Sequence, residues 1–190
     1  MKQEFFEEET FDKSIFTQDP LPKGEYEYCT FRNCDFSNSD LTGITFLECG
    51  FESCNLSLVK LTGTALRNCR FMNCKMLGLH FEACNSFGFS VSFDSCNLSH
   101  SSFYQVKLKK TVFKSLKLFE ADFTECDLSS SVFDNCDLTS AVFGNTNMEK
   151  ADFRTSFGYS IDPEANRIKK ARFSLQGVAG LLGKYNIEIE

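Results

Sequence analysis

The sequence has no tryptophan and only three prolines and two histidines in 190 residues. Neither His80 nor His100 has a nucleophile or ligand partner at fixed spacing, which removes the usual imidazole-centred catalytic dyads and metal sets. The ten cysteines include no Cys-x-x-Cys pair, so zinc-ribbon and thioredoxin-like readings are also excluded. No run approaches the ~18 apolar residues of a membrane span. The segment Met1–Thr10 carries Glu4, Glu7, Glu8 and Glu9, where a secretory leader would be basic and then apolar. A cytoplasmic protein that does not engage a membrane, with reduced thiols, is the expectation. With no convergent acid, base, nucleophile or metal set in view, so is a non-enzymatic role without cofactor.

An excess of basic charge is missing as well. The first forty residues carry ten acidic and four basic side chains, so the whole formal charge of −6 arises there; the remainder holds sixteen of each sign. Direct nucleic-acid binding, which needs a basic face, is not expected. The cluster Lys107, Lys109, Lys110, Lys114 and Lys117 reads as spread over adjacent faces of one coil.

What the sequence has in quantity is phenylalanine, 22 residues of it, placed with a period of five. The series Phe31, Phe36, Leu41, Phe46, Phe51 continues to Phe81, slips by two, and resumes from Phe93 to Phe153. Upstream, the same frame catches Phe6, Phe11, Phe16, Leu21 and Tyr26. Neither a helix of period 3.6 nor a strand of period 2 produces this spacing. Two positions before each bulky residue the side chain is small or slim, and all ten cysteines fall on this small inward position of the frame, Cys84 being the one at the slip. They read as small buried residues standing in for Ala. Cys126-Asp127-Leu128-Ser129-Ser130 and Ala151-Asp152-Phe153-Arg154-Thr155 display the unit.

This unit resembles the pentapeptide-repeat family, over residues 26–157 and in outline over 6–173. The resemblance implies an all-β solenoid: a right-handed quadrilateral β-helix with four units per coil, the Phe/Leu and the small residue pointing inward. Residues twenty apart then stack, and one face reads Phe31, Phe51, Phe71, Phe93, Phe113, Phe133, Phe153. Seven to eight coils at the ordinary strand spacing of ~4.8 Å make a rod of about 35 Å, held together by neighbour stacking.

Three parts follow from this reading. Residues 1–25 are expected to be an N-terminal cap with irregular first coils, because Pro20 and Pro22 remove backbone donors. Residues 26–157 are the β-helix, with its two-residue slip at 85–90. There Phe87 and Phe89 are candidates for an exposed partner-contact bump; the alternative is a local bulge with one Phe tucked inward. Residues 158–190 form a closing coil followed by a helix and a strand. Ser174 is a plausible N-cap. Leu175, Val178, Leu181, Leu182 and Tyr185 recur at helical spacing, and Ile187-Glu188-Ile189 alternates like a strand. This segment is either a homodimer interface or a monomeric cap over the open end of the rod.

A long rod ending in Ala179-Gly180-Leu181-Leu182 and Ile187-Glu188-Ile189 is similar to the Qnr-type quinolone-resistance proteins. That similarity implies a mimic of duplex DNA that dimerises through its C-terminus and interacts with DNA gyrase and topoisomerase IV. Such a role requires an acidic stripe, for which Asp122, Asp127, Asp137 and Asp152, at equivalent corner positions, are the candidates. The alternative is a protein-interaction scaffold with a non-topoisomerase partner.

Overall fold

The computed structural model describes residues 4–188. Within them the chain coils as a four-sided, parallel β-solenoid. Its strands are short because each side of the coil has room for one pentapeptide only: β1 (Glu4–Glu7), β2 (Thr10–Asp12), β3 (Gly24–Glu27), β4 (Thr30–Arg32), β5 (Thr45–Leu47), β6 (Gly50–Glu52), β7 (Ala65–Arg67), β8 (Cys69–Met72), β9 (Val91–Asp94), β10 (Val112–Lys114) and β11 (Val132–Asp134). They pair in two parallel sheets, β1-β3-β5-β7 and β2-β4-β6-β8-β9-β10-β11. The register advances by twenty (Phe11 with Phe31, Phe31 with Phe51, Phe113 with Phe133), except at the slip, where Phe71 pairs with Phe93. The remaining two sides are joined coil to coil by single bridges such as Asp35 with Asn55 and Asp122 with Val142. We name the four sides by their inward residue in the second coil: the Tyr26, Phe31, Phe36 and Leu41 faces.

The core is a set of side-chain ladders. On the Phe31 face nine rings, from Phe11 to Phe173, stack with centroids 4.4 to 6.3 Å apart. At ~4.8 Å per coil this column is about 38 Å long. Rings on neighbouring faces meet edge-on, as Phe113 does with Phe123 at 86°, so the interior is filled by alternating stacked and T-shaped contacts.

The inward small position is more than a gap-filler. Cys49 Sγ donates to the Tyr26 carbonyl, Cys54 to Phe31 and Cys136 to Phe113, in each case one coil below. Where the residue is Thr64, Thr146 or Ser156, its hydroxyl makes the same bond, to Leu41, Phe123 and Phe133. Cys in this chain therefore acts as a thiol analogue of Ser and Thr, and not merely as a substitute for Ala.

Most corners among the described residues are turned by a residue with positive φ. Asn takes this place at 33, 38, 68, 73, 135 and 145, and Gly at 43, 63 and 78, the residue types that tolerate the left-handed region. Leu58 (φ 58°), Lys110 (φ 62°) and Lys150 (φ 61°) occupy it without that advantage.

Regular winding begins earlier than the boundary expected at residue 25. β1 and β2 already pair in register with β3 and β4, and the irregular stretch is confined to 17–23 around Pro20 and Pro22. At the other end the expected helix is a 3-10 helix, Gln176–Leu181, followed by a short one, Gly183–Tyr185. The reason is the glycine spacing. In a 3-10 helix residues three apart eclipse, so Gly177, Gly180 and Gly183 form one flat ridge. A Cβ at Gly177 or Gly180 would run into Tyr159, and one at Gly183 would press on Ser160. The residue at the N-cap of the 3-10 helix is Leu175 and not the expected Ser174, although Ser174 Oγ, one residue earlier, accepts the Gly177 N–H at 3.0 Å. Lys184 ties the segment to Asp162 at 2.8 Å and to Glu164. Among the described residues Ile187 is exposed and belongs to no strand; Ile189 lies outside them.

Candidate functional site

The surface of a solenoid of this kind divides into its faces, its slip and its ends. Each outward position forms a column along the rod, so the surface is read column by column.

On the Phe31 face one column runs Asp12, Arg32, Glu52 and, beyond Met72, Asp94, Lys114, Asp134. Its signs alternate, and the pairs close: Arg32 to Glu52 at 3.0 Å, Lys114 to Asp94 at 2.7 Å. On the Leu41 face Asp40 lies between Lys23 and Lys60. These surfaces are neutralised internally.

The four aspartates expected to form an acidic stripe are not brought together. Asp122 lies on the Leu41 face between Ser102 and Val142, and Asp127 on the Tyr26 face between Lys107 and Asn147. Asp137 lies on the Phe36 face between Lys117 and Phe157, and Asp152 on the Phe31 face between Val132 and Arg172. Each carboxylate instead accepts the backbone N–H two residues ahead, from Thr124, Ser129, Thr139 and Arg154. Asp152 is further held by Arg154 at 2.7 Å and Arg172 at 3.7 Å, and these cations hold its carboxyl below the usual range. The same backbone bond acts at Asp40, whose Thr42 contacts lower it to about 2. These aspartates turn corners.

The Tyr26 face has a different charge pattern. Its first coils carry Glu7, Glu8, Glu25, Glu27 and Glu48, with Arg67 among them; its last carry Lys107, Lys109, Lys110, Lys150, Lys169 and Lys170, with Asp127 and an Arg167–Glu149 ion pair at 2.9 Å among them. None of those five glutamates and six lysines is in an ion pair among the described residues. Sequence reasoning missed this segregation. The signal was the same period of twenty, applied to outward positions: Lys110, Lys150 and Lys170 share one column, as do Glu8 and Glu48.

The slip interrupts the same face. Phe81–Ala83 forms a 3-10 turn, and residues 85–88 project. Phe89 turns back to pack edge-on against Phe81 at 6.4 Å, taking the core place that the missing unit leaves open. Phe87 is 76% exposed, with the Arg67 guanidinium 5.4 Å from its ring centre. Gly88 (φ 70°) makes the turn, and a Cβ there would touch the Arg67 side chain. The structure therefore separates the two residues: Phe87 faces solvent and Phe89 the core.

At the C-terminal end Leu175 is 86% exposed, and Val178, Tyr185 and Ile187 are exposed as well. Leu181 packs on the core and Leu182 is half-buried. Among the described residues no helix is long and apolar enough to cross a membrane.

The winding, its ladders and its corners define a pentapeptide-repeat solenoid. The family description "Pentapeptide repeats (8 copies)" matches residues 29–68, and "Pentapeptide repeat region" matches 89–157. Together these span more than half of the chain, which belongs to the pentapeptide-repeat family. Among solved structures, two trypsin-treated variants of QnrB1, a plasmid-mediated fluoroquinolone resistance protein, are 19% and 20% identical, with TM-scores of 0.63 and 0.64. Each alignment covers 99% of this chain and 98% of the other. HetL, involved in heterocyst differentiation regulation in the cyanobacterium Nostoc sp. strain PCC 7120, is 15% identical over 91% of this chain and 88% of its own, at a TM-score of 0.48. At these identities the QnrB1 likeness is one of fold. No curated protein matches in sequence.

Proposed function

We propose that this protein acts by binding another protein, and that its partner is a duplex-DNA-handling enzyme of the gyrase and topoisomerase IV type. The observation that carries this reading is the acidic half of the Tyr26 face. Glu8 and Glu48 are two coils apart on one column, and Glu7 and Glu27 are adjacent on the next. At ~4.8 Å per coil, Glu7 and Glu27 stand one coil apart and Glu8 and Glu48 two, so this end of the rod presents a line of carboxylates along its axis, as a DNA strand presents phosphates. An enzyme groove lined with Lys and Arg to accept a duplex would accept this edge. The full-length likeness in fold to a fluoroquinolone resistance protein is consistent with it. The four corner aspartates have no part in this contact. The exposed Leu175, Val178, Tyr185 and Ile187 are the surface through which two copies would join at their C-terminal ends.

The test is a gyrase supercoiling assay with and without a quinolone. Relief of the quinolone block, lost on changing Glu7, Glu8, Glu25 and Glu27 together to Gln but kept on changing Asp122, Asp127 and Asp137 to Asn, is the expected outcome. No effect of the wild-type protein in either arm overturns the reading. A scaffold with a different protein partner is the second reading, favoured by the mixed and internally paired charge of the Phe31 and Leu41 faces.

A further inference from the structure

The two ends of the rod are finished differently. At the C-terminal end the 3-10 ridge lies over Tyr159. At the other end, among the described residues, nothing lies beneath the first coil. β1 and β2 are edge strands, each paired on one side only, with β3 and β4. The Glu8 N–H donates to the Glu27 carbonyl and the Lys13 N–H to that of Arg32, while Thr30 N–H donates down to the Glu9 carbonyl. Successive residues of a strand direct their backbone groups to opposite sides. In this register the N–H and C=O groups of Phe5, Glu7, Thr10 and Asp12 therefore point away from β3 and β4, along the axis of the rod. The Phe6 and Phe11 rings end their stacks here. Each is covered from one side, by Tyr26 at 4.6 Å and by Phe31 at 4.8 Å.

The charge of this end selects what can cover it. In the first described coil, residues 4–23, Glu4, Glu7, Glu8, Glu9, Asp12 and Asp19 stand against Lys13 and Lys23. Lys23 is held by Asp40 of the next coil, and none of the six acids is in an ion pair among the described residues. The second coil adds Glu25, Glu27, Asp35 and Asp40 against Arg32, which is paired with Glu52. Glu4 and Glu9 stand two places before Phe6 and Phe11, in the inward position that Cys, Ser or Thr fills in later coils. Glu4 lies beneath Gly24, and Glu9 beneath Cys29. After burial, Glu4 does most to raise the Tyr26 pKa above its ordinary value, with Cys29 and Glu9 adding to it; both carboxylates thus act on the core from its open end. A second copy of this edge would bring acid against acid, which is how edge strands are kept from pairing with themselves, and nucleic acid is repelled by the same charges. We propose that the β1–β2 edge takes a basic, extended segment of another protein as an added strand. The backbone of that segment pairs with Phe5, Glu7, Thr10 and Asp12. Its apolar side chains continue the Phe6 and Phe11 stacks, and its Lys or Arg side chains meet Glu4, Glu7, Glu9 and Asp12. Main-chain bonds supply affinity in such an addition, and the alternating side chains supply specificity. This contact uses the end of the rod and not its side, so it goes beyond the topoisomerase reading and does not depend on it.

The experiment uses the full-length protein and three labelled peptides of roughly ten residues, long enough to run beneath both strands. The first alternates Lys with Val and Leu. The second has the same sequence with alternate backbone nitrogens methylated, which removes strand donors and keeps the charge. The third has Glu in place of Lys. Two protein variants accompany the wild type. Thr10→Pro removes an outward N–H that β4 does not use, at an edge position where proline is tolerated; the other is Glu4→Gln combined with Glu9→Gln. Binding is read by fluorescence anisotropy. The first peptide is expected to bind wild-type protein, and to bind at least about tenfold more weakly on going from about 50 to about 500 mM salt. The methylated and acidic peptides should bind at least about tenfold more weakly than the first, as should the first peptide to either variant. If Thr10→Pro fails to fold, as judged by its thermal melt, the methylated peptide on wild-type protein gives the same reading. No binding of the first peptide overturns the proposal. So does equal binding of the methylated peptide, which would mean charge alone, or binding that Thr10→Pro in its folded form leaves unchanged. A wild-type dimer that sedimentation shows to dissociate on Thr10→Pro would assign the edge to a second copy and overturn it as well. Thr10→Pro retains Glu7, Glu8, Glu25 and Glu27, so its effect in the supercoiling assay should match the wild type's, and either proposal can fail alone.

Discussion

Cys49 shows what the inward small position demands. Its Sγ lies 3.3 Å from the Tyr26 carbonyl one coil below, and burial raises its pKa to about 12. Cys126 is raised to about 12 and Cys136 to about 11 for the same reason. These groups are thiols, not thiolates, at neutral pH, and thiolate is the reactive form. A disulfide reagent at pH 8 should therefore leave the native protein nearly unmodified, with Cys84, the one cysteine that is not fully buried, reacting first; all ten should titrate after denaturation. Because the folded pKa values lie above the ordinary 9.0, the unfolded chain releases these protons first. Stability is then intact below pH 9 and falls from there towards 12. The corner aspartates act at the acid end. Asp40 is lowered from 3.8 to about 2, chiefly by its Thr42 bonds, and Asp35 and Asp152 are lowered too. The unfolded chain takes up those protons first, so their contribution is complete above pH 4 and disappears as the pH drops to 2. A melting temperature that stayed level between pH 5 and pH 2 would contradict this assignment.

At the scale of the coil, the ladders carry the stability and the corners tax it. Phe113 is fully buried, stacked on Phe133 at 4.4 Å and edge-on to Phe123. Phe113→Ala should cost ~3–5 kcal/mol, measured by denaturant unfolding. Leu58 is the converse case, exposed and held at φ 58°. Asn tolerates that region better, so Leu58→Asn should raise the melting temperature by about 2–4 °C, the shift that ~1 kcal/mol produces in a chain of this size. What was legible in the sequence divides along the same line. Inward positions announce themselves, since a single Phe31-type column reads Phe at every twentieth place. Outward positions were read at the period of five alone, which is why Asp122, Asp127, Asp137 and Asp152 were grouped. They are separated by multiples of five and not of twenty, and so fall on four faces. The C-terminal apolar residues show only that a helix forms; its kind is written in the glycines, whose spacing of three is the mark of the 3-10 ridge that lies on Tyr159.

For the whole molecule, the consequence of neighbour-only contact is that length and identity separate. The Phe31-face ladder has nearly the same geometry at each step: Phe31 on Phe51 at 4.8 Å, Phe133 on Phe153 at 4.7 Å. Stability in such a rod approximates a sum over coils and their junctions. Deleting residues 111–130 would bring β11 onto β9, Phe133 onto Phe93, with every inward residue still facing inward. The shortened chain should fold, with a denaturant m-value reduced in proportion to the lost surface. Removing twenty residues across 80–99 should instead leave the two parts out of phase by two, and the product should not fold as one rod. The slip therefore behaves as a dislocation in an otherwise periodic lattice. Coils can be gained or lost on either side of it without disturbing their neighbours, so a gene that drifts in length keeps its fold and only moves the exposed Phe87 nearer to one end of the rod or the other.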